Sequence, residues 1–461
     1  MLSVDTNPPS TFIARSTPRI RVGMILDQPF PAEPRVEREA VALVEAGYEV
    51  HLLCLLHPND VLVDEAYRGF YIHRVDPNAV SIEIPWLGRP THFLYQGLFR
   101  QAFLRFKNID TPWHTLIHRF TRNYDIQVLH VHGLRLLDTT LNISTRYGIP
   151  LVADLPDHYP ALMQLTHSSQ REKASLALRN RWELLEARGV ELASRVLTAT
   201  TESRQRLLRK GVHPDLMTTI ENSVEIETVM HSSVDMEIIK RFKSNFVVTH
   251  VGRLSDSFQG IQTVLEAMNL LRDHIPEMVF INAGPIREGY RRQLLLLIEA
   301  HNLQDKVHLA GRVDDVAEVS YIDVSDVCIF PYLPNDQTNS TFPEALYRCQ
   351  ALKKPVLTGN TRPLQQYVEE SGGGAVFPAG NAAVLAEMLY TLYTRPDLRR
   401  DMSLNGHQTV VERYHWAHSA HSLTQLYHHL TGYHAEPIAD NSFKQTDSFD
   451  ETTCSPASRL Q

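Results

Sequence analysis

Apolar residues in this chain fall into short continuous runs, separated by stretches with helical spacing. The runs at 246–251, 278–283, 307–310 and 327–330 end at Gly252, Gly284, Gly311 and Pro331. A strand that is apolar at every position is buried on both faces, as in a parallel sheet covered by helices. The first half repeats the pattern. Residues 20–26 read as a strand, and 36–46 carry Val36, Ala40, Leu43 and Val44 at helical spacing. Gly47 stops that helix, and 48–55 is the next strand. Such a βαβ unit places glycine where a helix ends. Further strands are predicted at 126–130, 150–153, 195–199 and 375–377, and a polar stretch at 222–235 separates the halves.

This pattern predicts an α/β protein with two Rossmann-like, doubly wound parallel-sheet domains facing across a cleft. Ligands bind at the carboxyl ends of the strands in such sheets, and clefts between domains are preferred sites. The boundaries read as a tail at 1–18, a first domain at 19–225 and a second at 226–415. A helix at 416–436 then returns to the first domain, and a tail follows at 437–461. Both tails are polar enough to predict disorder.

Composition narrows the partners. A net charge of −8 and a pI near 6.3 give no footprint for nucleic acid. Cys54 and Cys328 lie in apolar strands and read as buried thiols, which suits a reducing cytoplasm. No apolar run approaches the roughly 18 residues that would predict a membrane span. Between Phe99 and Arg122, aromatic and basic residues alternate around one acid, Asp110. That stretch has two readings. One is a helix pair with its apolar face in the core; the other is a basic amphipathic surface touching the inner face of a membrane.

Several segments carry chemistry. In order they are Pro34-Arg35-Val36-Glu37-Arg38-Glu39-Ala40, Val128-Leu129-His130-Val131-His132-Gly133, Asp154-Leu155-Pro156-Asp157 and Ile220-Glu221-Asn222. Gly252-Arg253-Leu254, Ala283-Gly284-Pro285 and Lys354-Pro355-Val356 follow. This series resembles the GT-B glycosyltransferases, in particular the large retaining family 4. The resemblance implies metal-independent transfer from a nucleotide-sugar donor to a glycan or glycolipid acceptor, with no cofactor. The donor would sit on the second domain and the acceptor on the first. It assigns His132, Arg253 and Asp157 to catalysis, and Arg253, Gln259, Gly284, Ser340, Thr341, Phe342, Glu344 and Arg348 to the donor. Arg253 would neutralise the departing diphosphate, with Gln259 standing where the family has lysine.

One departure is plain. The family's two glutamates lie eight apart, the second seven residues before the proline of a Pro-Val strand. Counting back from Pro355 gives Arg348 and Ser340. A shifted pair, Asp336 and Glu344, keeps the spacing but not the register. Thr341-Phe342-Pro343-Glu344 also reads as a capping box, with Thr341 as N-cap and Glu344 reaching back. Arg348, one turn on, would pair with Glu344. Pro343 inside the first turn would leave the N–H groups of Thr341, Phe342 and Glu344 for a phosphate. Gly372-Gly373-Gly374 reads as a flexible turn. Three classes follow: an active retaining transferase, a GT-B protein that has lost catalysis and serves as a binding or partner subunit, and a sugar-nucleotide epimerase of the same fold.

Overall fold

The computed structural model describes residues 19–31, 34–57, 65–76, 111–166 and 172–433. The first half forms one sheet from β1 (Arg21–Pro29), β2 (Glu49–Leu55), β3 (Glu65–Tyr67), β4 (Phe70–Val75), β5 (Val128–His132), β6 (Leu151–Leu155), β7 (Arg195–Thr198) and β8 (Met217–Thr219). Their order is β3-β4-β2-β1-β5-β6-β7-β8. The second half contributes β9 (Phe246–Val251), β10 (Met278–Ala283), β11 (Val307–Gly311), β12 (Val327–Phe330), β13 (Val356–Gly359) and β14 (Gly374–Phe377). Their order is β11-β10-β9-β12-β13-β14. Every pairing is parallel except β3 with β4. The continuous apolar runs are therefore what they looked like, strands covered on both faces.

The hairpin β3–β4 and the short strand β8 carry no such run. Two of the three β3 residues are exposed. The turn is set instead by Arg68 and Gly69, both at positive φ (46° and 90°), as a two-residue hairpin requires.

Helix Thr111–Asn123 buries Trp113, Ile117 and Phe120 in the core, while Arg119 and Arg122 face out. Core packing thus accounts for the described part of the aromatic–basic stretch; residues 99–110 lie outside the described residues, as do both tails. Among the described residues, no helix is long and apolar enough to cross a membrane.

The loops at the carboxyl ends of β9, β10 and β12 are drawn together. The N–H of Gly252 donates to the Ala283 carbonyl and that of Leu254 to the Pro285 carbonyl, both at 2.9 Å. Gly284 sits at φ 153°, and a Cβ there would strike the Gly252 carbonyl. The N–H of Leu333 donates to the Phe258 carbonyl at 2.8 Å. Gly372 ends helix Arg362–Ser371 in a left-handed cap, and a Cβ on Gly374 would collide with the Val356 carbonyl. The glycine triplet is thus a site of close packing, not the flexible turn its composition suggested.

The last helix, Trp416–Thr431, leaves the second half and lies on the first. Ser419 Oγ is 2.9 Å from Ser223 Oγ, and Tyr48 Oη is 3.2 Å from Thr431 Oγ1. The guanidinium of Arg38 lies over the Trp416 ring, 5.4 Å from its centroid.

Candidate active site

Side chains two apart on a strand share a face. His130 and His132 of β5 therefore stack, with ring centroids 4.4 Å apart. On the neighbouring strand β6, Asp154 pairs in register with His132. Its Oδ2 accepts from His132 Nδ1 at 3.1 Å, which fixes the tautomer and leaves Nε2 with a lone pair. That Nε2 is buried and has no hydrogen-bond partner among the described residues. His132 lines a cavity of about 280 Å³ together with Asp27, Arg35, Arg135 and Asp157 and with Leu26, Val36, Leu134 and Leu155.

Arg35 organises the charges behind His132. Its Nε and one terminal nitrogen donate to both Asp154 oxygens at 2.9 and 2.8 Å. The other terminal nitrogen donates to the Ile220 carbonyl at 2.6 Å and to Asn222 Oδ1 at 2.9 Å. Burial alone would raise the Asp154 pKa, but the Arg35 charge and the His132 hydrogen bond outweigh it and hold the carboxyl well below its usual range. Arg35 also reaches Glu39 Oε1 at 2.9 Å, one helical turn on. Glu39 is fully buried, and burial first, then the Asp154 charge, push it up to about 8. Burial keeps His130 neutral, with His132 adding to the effect.

Glu39 gives a pH prediction. Its folded pKa of about 8 lies above the ordinary 4.5, so between those values the folded state holds a proton that the unfolded chain has released. Stability from this group is full below pH 4.5 and declines as pH rises towards 8. Glu39→Gln keeps the shape and removes the titration. Its urea midpoint should gain on the wild type steadily from about pH 5.5 to 8; a difference that stays flat with pH would place Glu39 in the ordinary range.

Glu39, His130, His132 and Asp154 hold ligand-type atoms within 4.8 Å of one another. The Arg35 guanidinium already sits against both carboxylates, where a cation would have to be.

The expected donor residues lie on the second domain. Arg253 follows β9, is exposed, and forms no ion pair among the described residues. Gln259 is buried; its amide oxygen accepts from the N–H groups of Ser255 and Asp256, and its nitrogen donates to the Arg253 carbonyl. Its amide is thereby engaged in holding the Arg253 loop. In the loop 335–341, Asn335 Oδ1 accepts from the N–H groups of Gln337 and Thr338 at 2.9 and 3.0 Å. The N–H groups of Thr341 and Phe342 find no acceptor among the described residues.

The expected capping box does not form. The helix begins at Glu344 with Pro343 as N-cap and no side-chain cap. Thr341 Oγ1 turns back to donate to the Gln337 carbonyl at 3.1 Å. Pro343 therefore precedes the first turn instead of lying within it. Glu344 reaches across the cleft, accepting two hydrogen bonds from Arg38 at 2.8 and 2.7 Å. Arg348 does not meet Glu344; it pairs with Glu318 at 3.1 Å. Ser340 is buried, its carbonyl accepting from Thr200 Oγ1 at 2.9 Å. Asp157, exposed at the cavity rim, accepts from Gln337 Nε2 at 3.2 Å. Arg38, Asp157 and Thr200 thus clasp the loop from the first domain.

A larger cavity of about 540 Å³ lies on the far side of that loop, between Arg206 and Lys210 of the first domain and Asn339 and Arg362 of the second. Arg206 pairs with Glu186 at 2.6 Å, Lys210 with Glu186 at 2.9 Å and with Glu183, and Arg179 with Asp336 at 2.7 Å.

Sequence reasoning singled out His132, Asp157 and Arg253 but passed over Arg35, Arg38, Glu39, His130 and Asp154. A signal existed: His130, His132 and Asp154 are polar residues inside otherwise apolar strands, and such residues need partners when buried.

Two parallel-sheet domains with strand ends turned towards a shared cleft are the GT-B architecture. Residues 32–223 match the glycosyl transferase 4-like domain family, and residues 233–409 match the glycosyl transferases group 1 family. The chain belongs to the family 4-like GT-B glycosyltransferases. It is 20% identical over 418 residues to a phosphatidyl-myo-inositol mannosyltransferase of Mycolicibacterium smegmatis, covering 90% of this chain and 95% of that one. Against the protein of the same name from Mycobacterium leprae the match is 23% over 180 residues, spanning 46% of its length. Among solved structures, sucrose-phosphate synthase from Thermosynechococcus elongatus aligns with a TM-score of 0.70 at 19% identity, over 90% of this chain and all of that one. An Anabaena protein solved with UDP and glucose aligns with a TM-score of 0.65 at 15% identity, over 90% of this chain and 100% of that one.

Proposed function

We propose that this glycosyltransferase moves a sugar from a nucleotide-sugar donor to a glycan or lipid-linked acceptor, with retention and without a metal. The observation that carries this reading is His132: an imidazole oriented by Asp154, with an unpaired buried nitrogen, in a residue that lines a cavity of the first domain. In this reading the acceptor enters that cavity, and His132 contacts a hydroxyl at the reacting centre. Asp157 marks the rim. The departing diphosphate needs positive charge and N–H donors. Arg253 supplies the first, and the free N–H groups of Thr341 and Phe342 the second. Gly284 allows the close approach of the Arg253 loop, and Gln259 fixes that loop. Ser340 and Glu344 shape the donor side by tying the 335–344 segment to Thr200 and Arg38, and Arg348, paired with Glu318, supports the helix that follows. Retention and metal independence come from the family resemblance. The Anabaena neighbour makes UDP-sugars the first donors to try.

Calorimetry with UDP- and GDP-sugars, followed by transfer assays in chelator, tests the reading. One nucleotide sugar should bind and turn over, with the product's anomeric configuration matching the donor's by NMR. Absence of binding to every nucleotide sugar overturns it. Arg253→Ala should weaken donor binding by about tenfold or more, the weight of one charge-assisted contact, without moving the melting temperature. An unchanged dissociation constant takes Arg253 out of the diphosphate site.

A further inference from the structure

We infer that Tyr427, on the returning C-terminal helix, is a positioning residue for His132, acting through His130. The inference rests on the reading of His132 just given. His132 is held on one side by Asp154 and on the other by the face of the His130 ring. His130 is fully buried, and among the described residues its ring nitrogens have two polar partners within reach. Its Nδ1 is 2.9 Å from Tyr427 Oη, and its Nε2 is 3.5 Å from Glu39 Oε2. The Tyr427 contact is the short one and comes from 297 residues away in sequence. Tyr427 is itself fully buried, its ring edge-on to Tyr48 at 5.5 Å. The helix therefore does more than cover an apolar surface. It inserts one hydroxyl into the buried polar row behind the cavity and gives His130 Nδ1 its hydrogen-bond partner. A neutral imidazole must accept at one nitrogen and donate at the other. Without the hydroxyl, His130 Nδ1 has no partner, and its ring is free to tilt beneath His132. A tilt of His132 displaces its Nε2.

The test compares Tyr427→Phe with Tyr48→Phe in the full chain. Both remove one buried hydroxyl from the contact with the same helix, but Tyr48 Oη bonds Thr431 and not a histidine. Histidine-selective ¹⁵N spectra report the His132 tautomer, with its signals assigned by their loss in His132→Gln. Tyr427→Phe should move the His132 nitrogen shifts and lower kcat about tenfold, the scale of a small misplacement of a reacting group, while the donor KM stays within about twofold of the wild type. Tyr48→Phe should do neither. Unmoved His132 signals in Tyr427→Phe, or an unmoved kcat in an active enzyme, overturn the inference. If the wild type transfers nothing from any donor, the transferase reading fails by itself, and the nitrogen spectra still decide whether Tyr427 sets His132.

Discussion

Arg35→Ala is expected to cost the protein about 3–5 kcal/mol of stability, a fall in melting temperature of roughly 10 °C for a domain of this size. The guanidinium is buried and donates to Asp154, to the Ile220 carbonyl and to Asn222. It ties the first helix to β6 and to the crossover between the domains. Truncation leaves the ionised Asp154 in the interior without a counter-charge, and an unpaired buried carboxylate is far more costly than a missing pair. The double variant Arg35→Met with Asp154→Leu separates the two effects. It removes the charges together and should recover most of the lost stability, yet stay inactive because His132 loses its anchor. Scanning calorimetry of the three proteins decides. An Arg35→Ala protein melting within about 1 °C of the wild type would mean that water or a shifted neighbour replaces the guanidinium, since even 1 kcal/mol moves a domain of this size by about 2–4 °C.

The sheets were readable because parallel strands must be apolar on both faces, and that leaves a mark few other structures leave. β3 and β4 left none: a half-exposed hairpin at a sheet edge depends on its turn and on its neighbour, not on a run of its own. Thr341 illustrates a local rule overruled by context. Its sequence fits an N-cap, but the polar turn from Asn335 captures its hydroxyl first. Arg348 stands one turn from Glu344, yet each finds a carboxylate or guanidinium on another element, Glu318 and Arg38 respectively. Spacing cannot reveal such choices, because the competing partners are brought in by the fold. The same holds for Arg35 and Asp154, which lie 119 residues apart in sequence. Ser340 and Arg348, which register counting puts in place of the acidic pair, find different partners: the Ser340 carbonyl accepts from Thr200, while Arg348 pairs with Glu318.

His132→Ala should lower turnover by about a hundredfold, within the range for a side chain acting at the reacting centre. Donor affinity should be unchanged, because the proposed diphosphate contacts lie on the other domain. Stability should change little, since the cavity next to His132 can admit water to the vacated space. Asp154→Asn is the sharper variant. The amide oxygen can still accept from His132 Nδ1, but the second oxygen, which Arg35 uses at 2.8 Å, becomes an N–H₂ group aimed at a guanidinium. In either orientation the amide N–H₂ faces an Arg35 N–H, because Arg35 Nε donates to the other oxygen at 2.9 Å, so the contact that anchors residue 154 and the His132 ring is broken. Turnover should therefore fall nearly as far as in His132→Ala, although the imidazole is still present, and the melting temperature should fall with it. Steady-state kinetics alongside donor calorimetry distinguish these effects. A His132→Ala enzyme that keeps turnover within about threefold of the wild type would remove His132 from the chemistry, because losses from a group at the reacting centre exceed that scale. The buried array behind it would then stand as a structural feature of the first domain alone.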